Sequence, residues 1–172
     1  MELRTSRLIM RPHAVEDFEP SARLWSEEEV VRHISGRPST REESWSRVLR
    51  YIGHWSALRY GYWAVFEAAT GRFAGEVGFA DYHREIEPSL QGMPELGWVI
   101  APHLQGRGYA NEAVLAAIEW GERHLAAPRI ACMIAPENAV SIRVAEKSGF
   151  VRTCETTYRG MPTLLFERPL AR

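Results

Sequence analysis

The sequence predicts an α/β fold in which a central mixed sheet carries helices on both faces. The hydrophobic pattern switches along the chain between the period of a strand and that of a helix. The predicted elements are, in order, a strand, two helices, three strands, a helix, a strand, a helix and two strands. With 172 residues, of which 45% are hydrophobic, the chain fits one domain over residues 1–172.

The first strand and the first helical region follow directly from the N-terminal residues. Residues 7–11 read as a short strand, and Pro12 limits its continuation. Residues 14–34 place apolar side chains near helical spacing, and Pro20 interrupts them. We therefore expect a broken helix here.

The second helix and the hairpin that follows have clear boundary signals. Thr40 and, three residues later, Glu43 form a capping-box pattern that opens a helix through about Leu58. Residues 60–82 then alternate as strands on either side of a turn at residues 69–71, which predicts an antiparallel hairpin.

A polar loop at residues 85–92 separates this hairpin from a third strand at residues 95–101, which Pro102 stops. Residues 105–125 have aliphatic side chains on one face and charged side chains on the other. This pattern predicts an amphipathic helix that starts within residues 106–110.

The C-terminal elements alternate in the same way. Residues 129–135 are nearly all apolar, as in a strand covered on both faces. Asn138 is placed to cap a helix that ends at Ser148. Two further strands are expected, at residues 150–157 and 162–168.

Composition excludes several classes of function. Twenty-one basic and 22 acidic residues give a formal net charge of -1, so we expect no binding to nucleic acid or to an anionic membrane. The N-terminus lacks a secretory apolar stretch, and no run reaches the roughly 20 apolar residues that span a bilayer. A cytoplasmic protein is expected.

Metal binding is not expected either. Cys132 and Cys154 form no C-x-x-C pair, and the six histidines are scattered without a ligand spacing. Two reduced thiols are the simpler interpretation.

The junction between the third strand and the amphipathic helix carries the strongest functional signal. A turn with Gly106 and Gly108 leads from the strand into the helix, and Arg107 adds a positive charge. Backbone N–H groups at a helix start have no intrahelical acceptor, and glycine lets an anion approach them closely. The junction is therefore suited to a phosphate or pyrophosphate, although a glycine pair can also serve only a tight turn.

Two motifs in this order resemble those of the GNAT acetyltransferase superfamily. Residues 105–110, QGRGYA, resemble its Q/R-x-x-G-x-G/A element, and residues 138–150, NAVSIRVAEKSGF, resemble its second element. LRTSRLIMRP, GEVGF and ELGWVI resemble the branch that includes the ribosomal-protein N-terminal acetyltransferases. The resemblance implies a mostly antiparallel mixed sheet and acetyl-CoA as co-substrate, with no metal.

The resemblance also implies which residues bind the coenzyme. They are the strand residues Trp98, Val99 and Ile100, the turn residues Gln105, Gly106, Arg107, Gly108, Tyr109 and Ala110, and the helix-start residues Asn138 and Ser141. A backbone N–H near Val99 or Ile100 would bind the acetyl oxygen. Val99 and Ile100 are equally explained as core residues. Trp98 and Tyr109 are candidates to line the acetyl or acceptor pocket, although aromatic residues at a strand–helix junction are more often core.

The catalytic candidates are Glu95 and Ser141. A carboxylate partly removed from water can deprotonate an ammonium, so Glu95, at the start of the strand, is the expected base and Glu76 the second candidate. Glu95 can instead be a solvent-exposed strand-end carboxylate, and Glu76 can instead face solvent or pair with an arginine. Ser141 is a candidate acid or donor to the coenzyme sulfur, or only a helix-terminus serine.

The expected reaction is acetyl transfer to a primary amine, either a protein N-terminus or a small amine, by a monomer or homodimer. A non-catalytic acyl-CoA sensor is the alternative, because Ala145 stands where many members of the superfamily have a catalytic tyrosine.

Overall fold

The computed structural model describes residues 1–171, which form one eight-stranded sheet in the order β1-β2-β3-β4-β5-β6-β8-β7. The strands are β1 (Leu3–Arg4), β2 (Leu8–Pro12), β3 (Tyr62–Glu67), β4 (Phe73–Ala80), β5 (Glu95–Ile100), β6 (Arg129–Ile134), β7 (Val151–Tyr158) and β8 (Met161–Pro169). The α-helices are α1 (Phe18–Ser26), α2 (Glu28–Val31), α3 (Arg41–Leu58), α4 (Tyr109–His124) and α5 (Ala139–Lys147).

Neighbouring strands pair antiparallel except for β5 and β6, which are parallel. This arrangement confirms the predicted mixed, mostly antiparallel sheet. The two-residue strand β1 was not predicted, because it is too short to show a period of two.

Local signals place most of the helices correctly. The side chain of Thr40 accepts a hydrogen bond from the N–H of Glu43, and the reciprocal bond is also present, so the capping box opens α3 as predicted. Asn138 likewise caps α5, where its Oδ1 accepts a hydrogen bond from the N–H of Ser141 at 3.1 Å.

The broken helix predicted for residues 14–34 is confirmed as α1 and α2, but its break does not lie at Pro20. Pro20 is the third residue of α1, in the first turn, where the missing N–H would have no intrahelical acceptor. The chain leaves the helical conformation at Glu27 instead, whose ψ is 119°.

Helices cover both faces of the sheet. On one face, α4 and α5 pack over the largest buried cluster through residues such as Val114, Ile118 and Val144. On the other face, α1 and α2 pack against β5 through Trp25, Val31 and Val99. Because the side chains of β5 alternate between these faces, the strand contacts both helical layers.

Candidate active site

The sheet opens between β5 and β6. The two strands pair only at Glu95 and Ala131, close to where both begin, and separate beyond that point. A cavity of about 280 Å³ fills this opening. Its walls come from α2 and the turn after it, from β5, and from the first turns of α4 and α5.

The cavity reaches both faces of the sheet. On the α4 and α5 face it is lined by residues that include Gln105, Ala110 and Ser141. On the α2 face it is lined by residues that include Glu29 and His33. Two reactants can therefore meet in the gap from opposite faces.

Backbone groups of β5 point into the gap at alternate residues. The N–H of Ala101 bonds to the carbonyl of Ala74 at 2.9 Å, so Val99 and Ala101 direct their peptide groups toward β4. The carbonyl of Ile100 instead accepts a bond from Nε2 of Gln105 at 3.3 Å. The N–H of Ile100, on the same edge, faces the gap, and this selects Ile100 over Val99 as the candidate donor to an acyl oxygen.

Gly75 keeps β4 against this end of β5. A Cβ at that position would lie 2.1 Å from the carbonyl oxygen of Val99, and the φ of Gly75 is +150°. Only glycine permits this approach. The end of β5 thus stays with β4 while β6 diverges.

The turn before α4 presents a row of amide groups. Gly106 and Gly108 have φ values of +72° and +81°, both left-handed, and Gly108 is the N-cap of α4. Within residues 1–171, no N–H of residues 106–111 donates to a backbone acceptor. These groups, together with the positive end of the α4 dipole, form an anion site of the predicted kind.

A contact from the N-terminus, which the sequence did not reveal, holds this turn. Arg7 donates to the carbonyl of Arg107 at 2.8 Å and pairs with Glu112 at 2.6 Å. Glu112 also accepts bonds from Thr5 and Ser6. Burial acts to raise the pKa of Glu112, but these bonds outweigh it and lower the pKa. These contacts join residues that are at least 100 positions apart in the sequence, so no local pattern could predict them.

Tyr109 lies away from the cavity. Its hydroxyl donates to Glu67 at 3.2 Å, and its ring packs beneath the guanidinium of Arg7. The structure therefore places Tyr109 in the core, and its side chain does not line an acyl pocket. Only its backbone N–H is available to a phosphate.

Ser141 lines the cavity with its hydroxyl unengaged. The N–H of Ser141 is bonded to Asn138, but no partner for its Oγ occurs among residues 1–171. The interpretation of Ser141 as a helix serine bonded to backbone is therefore not what the structure shows.

Glu95 does not line the cavity. Both of its carboxylate oxygens accept bonds from Arg84, at 2.6 and 2.7 Å, and Arg84 also donates to the hydroxyl of Tyr158 at 3.1 Å. Burial acts to lower the pKa of Arg84, but the bonds and charge of Glu95 outweigh it and raise the pKa. The assignment of Glu95 as base stays a prediction, and this pairing argues against it.

Glu76 is completely buried beneath α1. Its oxygens accept bonds from Ser21 at 2.6 Å and from Trp25 at 2.8 Å, and Nε2 of His13 lies 3.8 Å away. The expectation that it faces solvent or pairs with an arginine is wrong. Without access to the cavity, Glu76 cannot receive a proton from an acceptor.

Of the predicted coenzyme-binding residues, seven line the cavity: Trp98, Val99, Ile100, Gln105, Ala110, Asn138 and Ser141. Gly106, Arg107 and Gly108 form the adjoining turn. The structure thus brings the two sequence motifs together at one gap, with Tyr109 turned away.

A family profile for the GNAT acetyltransferase domain matches residues 7–151. The chain belongs to the GNAT acetyltransferase family. It is thus an acetyl-CoA-dependent acetyltransferase by family, and the gap between β5 and β6 lies within the matched region.

Individual GNAT proteins are similar over nearly the whole chain. An uncharacterised N-acetyltransferase, YnaD of Bacillus subtilis, is 29% identical over 152 residues, or 88% of this chain and 84% of its own. A GNAT-family protein from Bordetella pertussis, described as a putative acetyltransferase, has 30% identity and a TM-score of 0.86, with 98% and 99% of the two chains covered.

A more distant structure shares the fold. It is the ribosomal L7/L12 α-N-protein acetyltransferase RimL in complex with coenzyme A, with a TM-score of 0.81 at 15% identity, covering 99% of this chain and 98% of its own.

The residues of this GNAT chain fit a coenzyme. The free N–H groups of residues 106–111 suit a pyrophosphate, and the gap with its unpaired Ile100 N–H suits an extended acyl arm. Within residues 1–171, no group of three or more histidine, cysteine or acidic side chains is arranged to hold a metal ion. No helix in that range is long and apolar enough to cross a membrane.

Proposed function

We propose that this protein transfers the acetyl group of acetyl-CoA to a primary amine, on a protein N-terminus or a small molecule, by direct attack of the amine. The observation that carries the proposal is the cavity through the gap between β5 and β6. It connects the anion turn and α5 on one face with the polar rim at α2 on the other.

Each part of the cavity has a role in this proposal. The N–H groups of residues 106–111 hold the pyrophosphate, and Asn138 contacts the arm while it caps α5. The N–H of Ile100 binds the acetyl oxygen, and it is fixed before the reaction because β4 and Gln105 both hold the strand end. A fixed donor of this kind stabilises charge that develops on the oxygen.

Acetyl-CoA supplies an activated acyl thioester when bound. Ser141, with its free hydroxyl in the cavity, donates a hydrogen bond to the sulfur or a proton to the leaving thiolate. Because free thiols have pKa values of about 8.5, such help is modest, and positioning of the amine contributes more.

A turnover assay tests the proposal. Release of free thiol from acetyl-CoA should depend on an added amine in a panel of N-terminal peptides, polyamines and aminoglycosides. Acetyl-CoA should also raise the melting temperature more than NAD or ATP does. Selective stabilisation by acetyl-CoA without turnover of any amine would instead identify an acyl-CoA sensor.

A further inference from the structure

The acceptor side of the cavity lacks the base that the sequence predicted. Glu95 is outside the cavity and bonded to Arg84 through both oxygens, while Glu76 is enclosed by Ser21 and Trp25. A proton acceptor must reach the amine directly or through one water, so the residues that line the α2 side are the first to consider.

His33 is the residue there that suits proton transfer. It is half-buried in the turn after α2 and lines the same cavity as Ile100 and Ser141. No partner for either of its ring nitrogens occurs among residues 1–171. A neutral imidazole at this position therefore has a nitrogen lone pair that no described residue occupies, in a residue that lines the reactants' space.

The fold fixes the main chain that carries this side chain. The N–H groups of Ile34, Ser35 and Gly36 all donate to the carbonyl of Val31, at 2.9 to 3.1 Å, which winds the chain tightly around His33. Val31 is buried in the cluster that contains Val99 of β5. His33 is thus anchored to the strand that carries the acyl-oxygen donor.

The charged groups around His33 are few. Glu29 lies in α2, Arg32 lies next to His33 at the end of that helix, and Glu137 lies in the loop before α5. The lining residues of β5, α4 and α5 are uncharged: Trp98, Val99, Ile100, Gln105, Ala110, Ala139, Val140, Ser141, Val144 and the cap residue Asn138. Glu29 and Glu137 suit the approach of a cationic amine to this rim.

The geometry points to His33 as the catalytic residue that takes a proton from the acceptor ammonium. The inference rests on the proposed acetyl transfer. Neutral His33 takes one proton, and the freed nitrogen lone pair forms a bond to the acyl carbon. The carbon–sulfur bond breaks with its electron pair on sulfur. The second nitrogen proton ends on that sulfur, and His33 returns its own proton to solvent.

The test compares His33→Asn with His83→Asn. Asparagine cannot take the proton, so kcat should fall by about 100-fold or more in His33→Asn. His83 is a suitable control because its side chain is 75% exposed and lies outside the cavity, and asparagine tolerates its positive φ of 47°. His83→Asn should match the wild type.

The pH dependence separates proton transfer from a packing role. The ratio of wild-type to His33→Asn kcat should fall as the pH rises toward the pKa of the amine, because His33→Asn depends on amine that is already neutral whereas the wild type can use bound ammonium. A ratio that stays constant with pH would overturn the assignment.

A second measurement does not depend on turnover. The ring resonance of His33, identified by its loss in His33→Asn, should move in the NMR spectrum when an amine is added to the protein. Both variants should keep the melting shift with acetyl-CoA. Wild-type turnover with neither signature refutes His33 alone, whereas failure of the wild type to acetylate any amine refutes the proposed function as well.

Discussion

Replacement of Gly108 by valine tests the anion turn before α4. Gly108 has a φ of +81° and a ψ of 4°, and a β-branched residue is strained in that region by about 1–3 kcal/mol. Space is not the obstacle, because a Cβ would lie 3.5 Å from Nη2 of Arg7, an ordinary contact. The cost therefore comes from the backbone.

The turn can respond to this strain in two ways, and both are measurable. If it keeps its shape, stability falls, and a protein of this size loses about 2–4 °C of melting temperature per kcal/mol. If it relaxes, the N–H groups leave the pyrophosphate position, and a loss of about 1–3 kcal/mol weakens acetyl-CoA binding by roughly 5- to 150-fold.

Gly160→Val is the matched control. Gly160 has a φ of +79° in the turn between β7 and β8, and a Cβ added there would have no atom of residues 1–171 within 4 Å. The variant should lose similar stability but bind acetyl-CoA normally. Calorimetric titration gives both affinities. Equal loss of affinity in the two variants, or wild-type affinity in Gly108→Val with no fall in melting temperature, would refute the anion turn.

Three further predictions concern side chains. In Ser141→Ala, the defect in kcat should shrink from about pH 6.5 to 9 if Ser141 donates a proton, since a thiolate leaves unaided near its pKa; a constant defect means that Ser141 only orients the thioester. Glu95→Gln should lower the melting temperature, because it leaves the guanidinium of Arg84 half-paired. Its kcat should fall by less than about 10-fold, whereas loss of a general base costs about 100-fold or more. A loss of about 100-fold or more in a stable variant would restore Glu95 as base. Burial lowers the pKa of His13 more than Glu76 and Asp17 raise it. Below about pH 6.5 the unfolded chain therefore binds more protons than the folded one, and the free energy of unfolding decreases as pH decreases. Chemical denaturation at several pH values should show a shallower decrease in His13→Gln.

Much of the fold could be predicted because its signals are local. The capping box at Thr40, the cap at Asn138 and the glycine turn before α4 each act within a few residues, so the printed sequence contains them whole. The break near Pro20 was misplaced because a proline in the first helical turn looks the same in sequence as one in the middle.

The site was harder to predict because its contacts are between distant residues. Arg84 reaches Glu95 from a polar loop, and Arg7 reaches Glu112 from the N-terminus. Neither pairing produces a periodic pattern in the sequence. For this reason Glu95, at the end of a strand, was predicted to be an unpaired base. His33 lies in no motif that would indicate a catalytic role.

The most direct test of acetyl transfer follows the group itself. Acetyl-CoA carrying an isotope-labelled acetyl group is incubated with the protein and an acceptor amine, and the amine is analysed by mass spectrometry. We expect label on the amine nitrogen, formed in step with free thiol and, at acetyl-CoA concentrations below saturation, formed more slowly in a Gly108→Val variant with a relaxed turn than in Gly160→Val. Thiol release without labelled amine would contradict acetyl transfer.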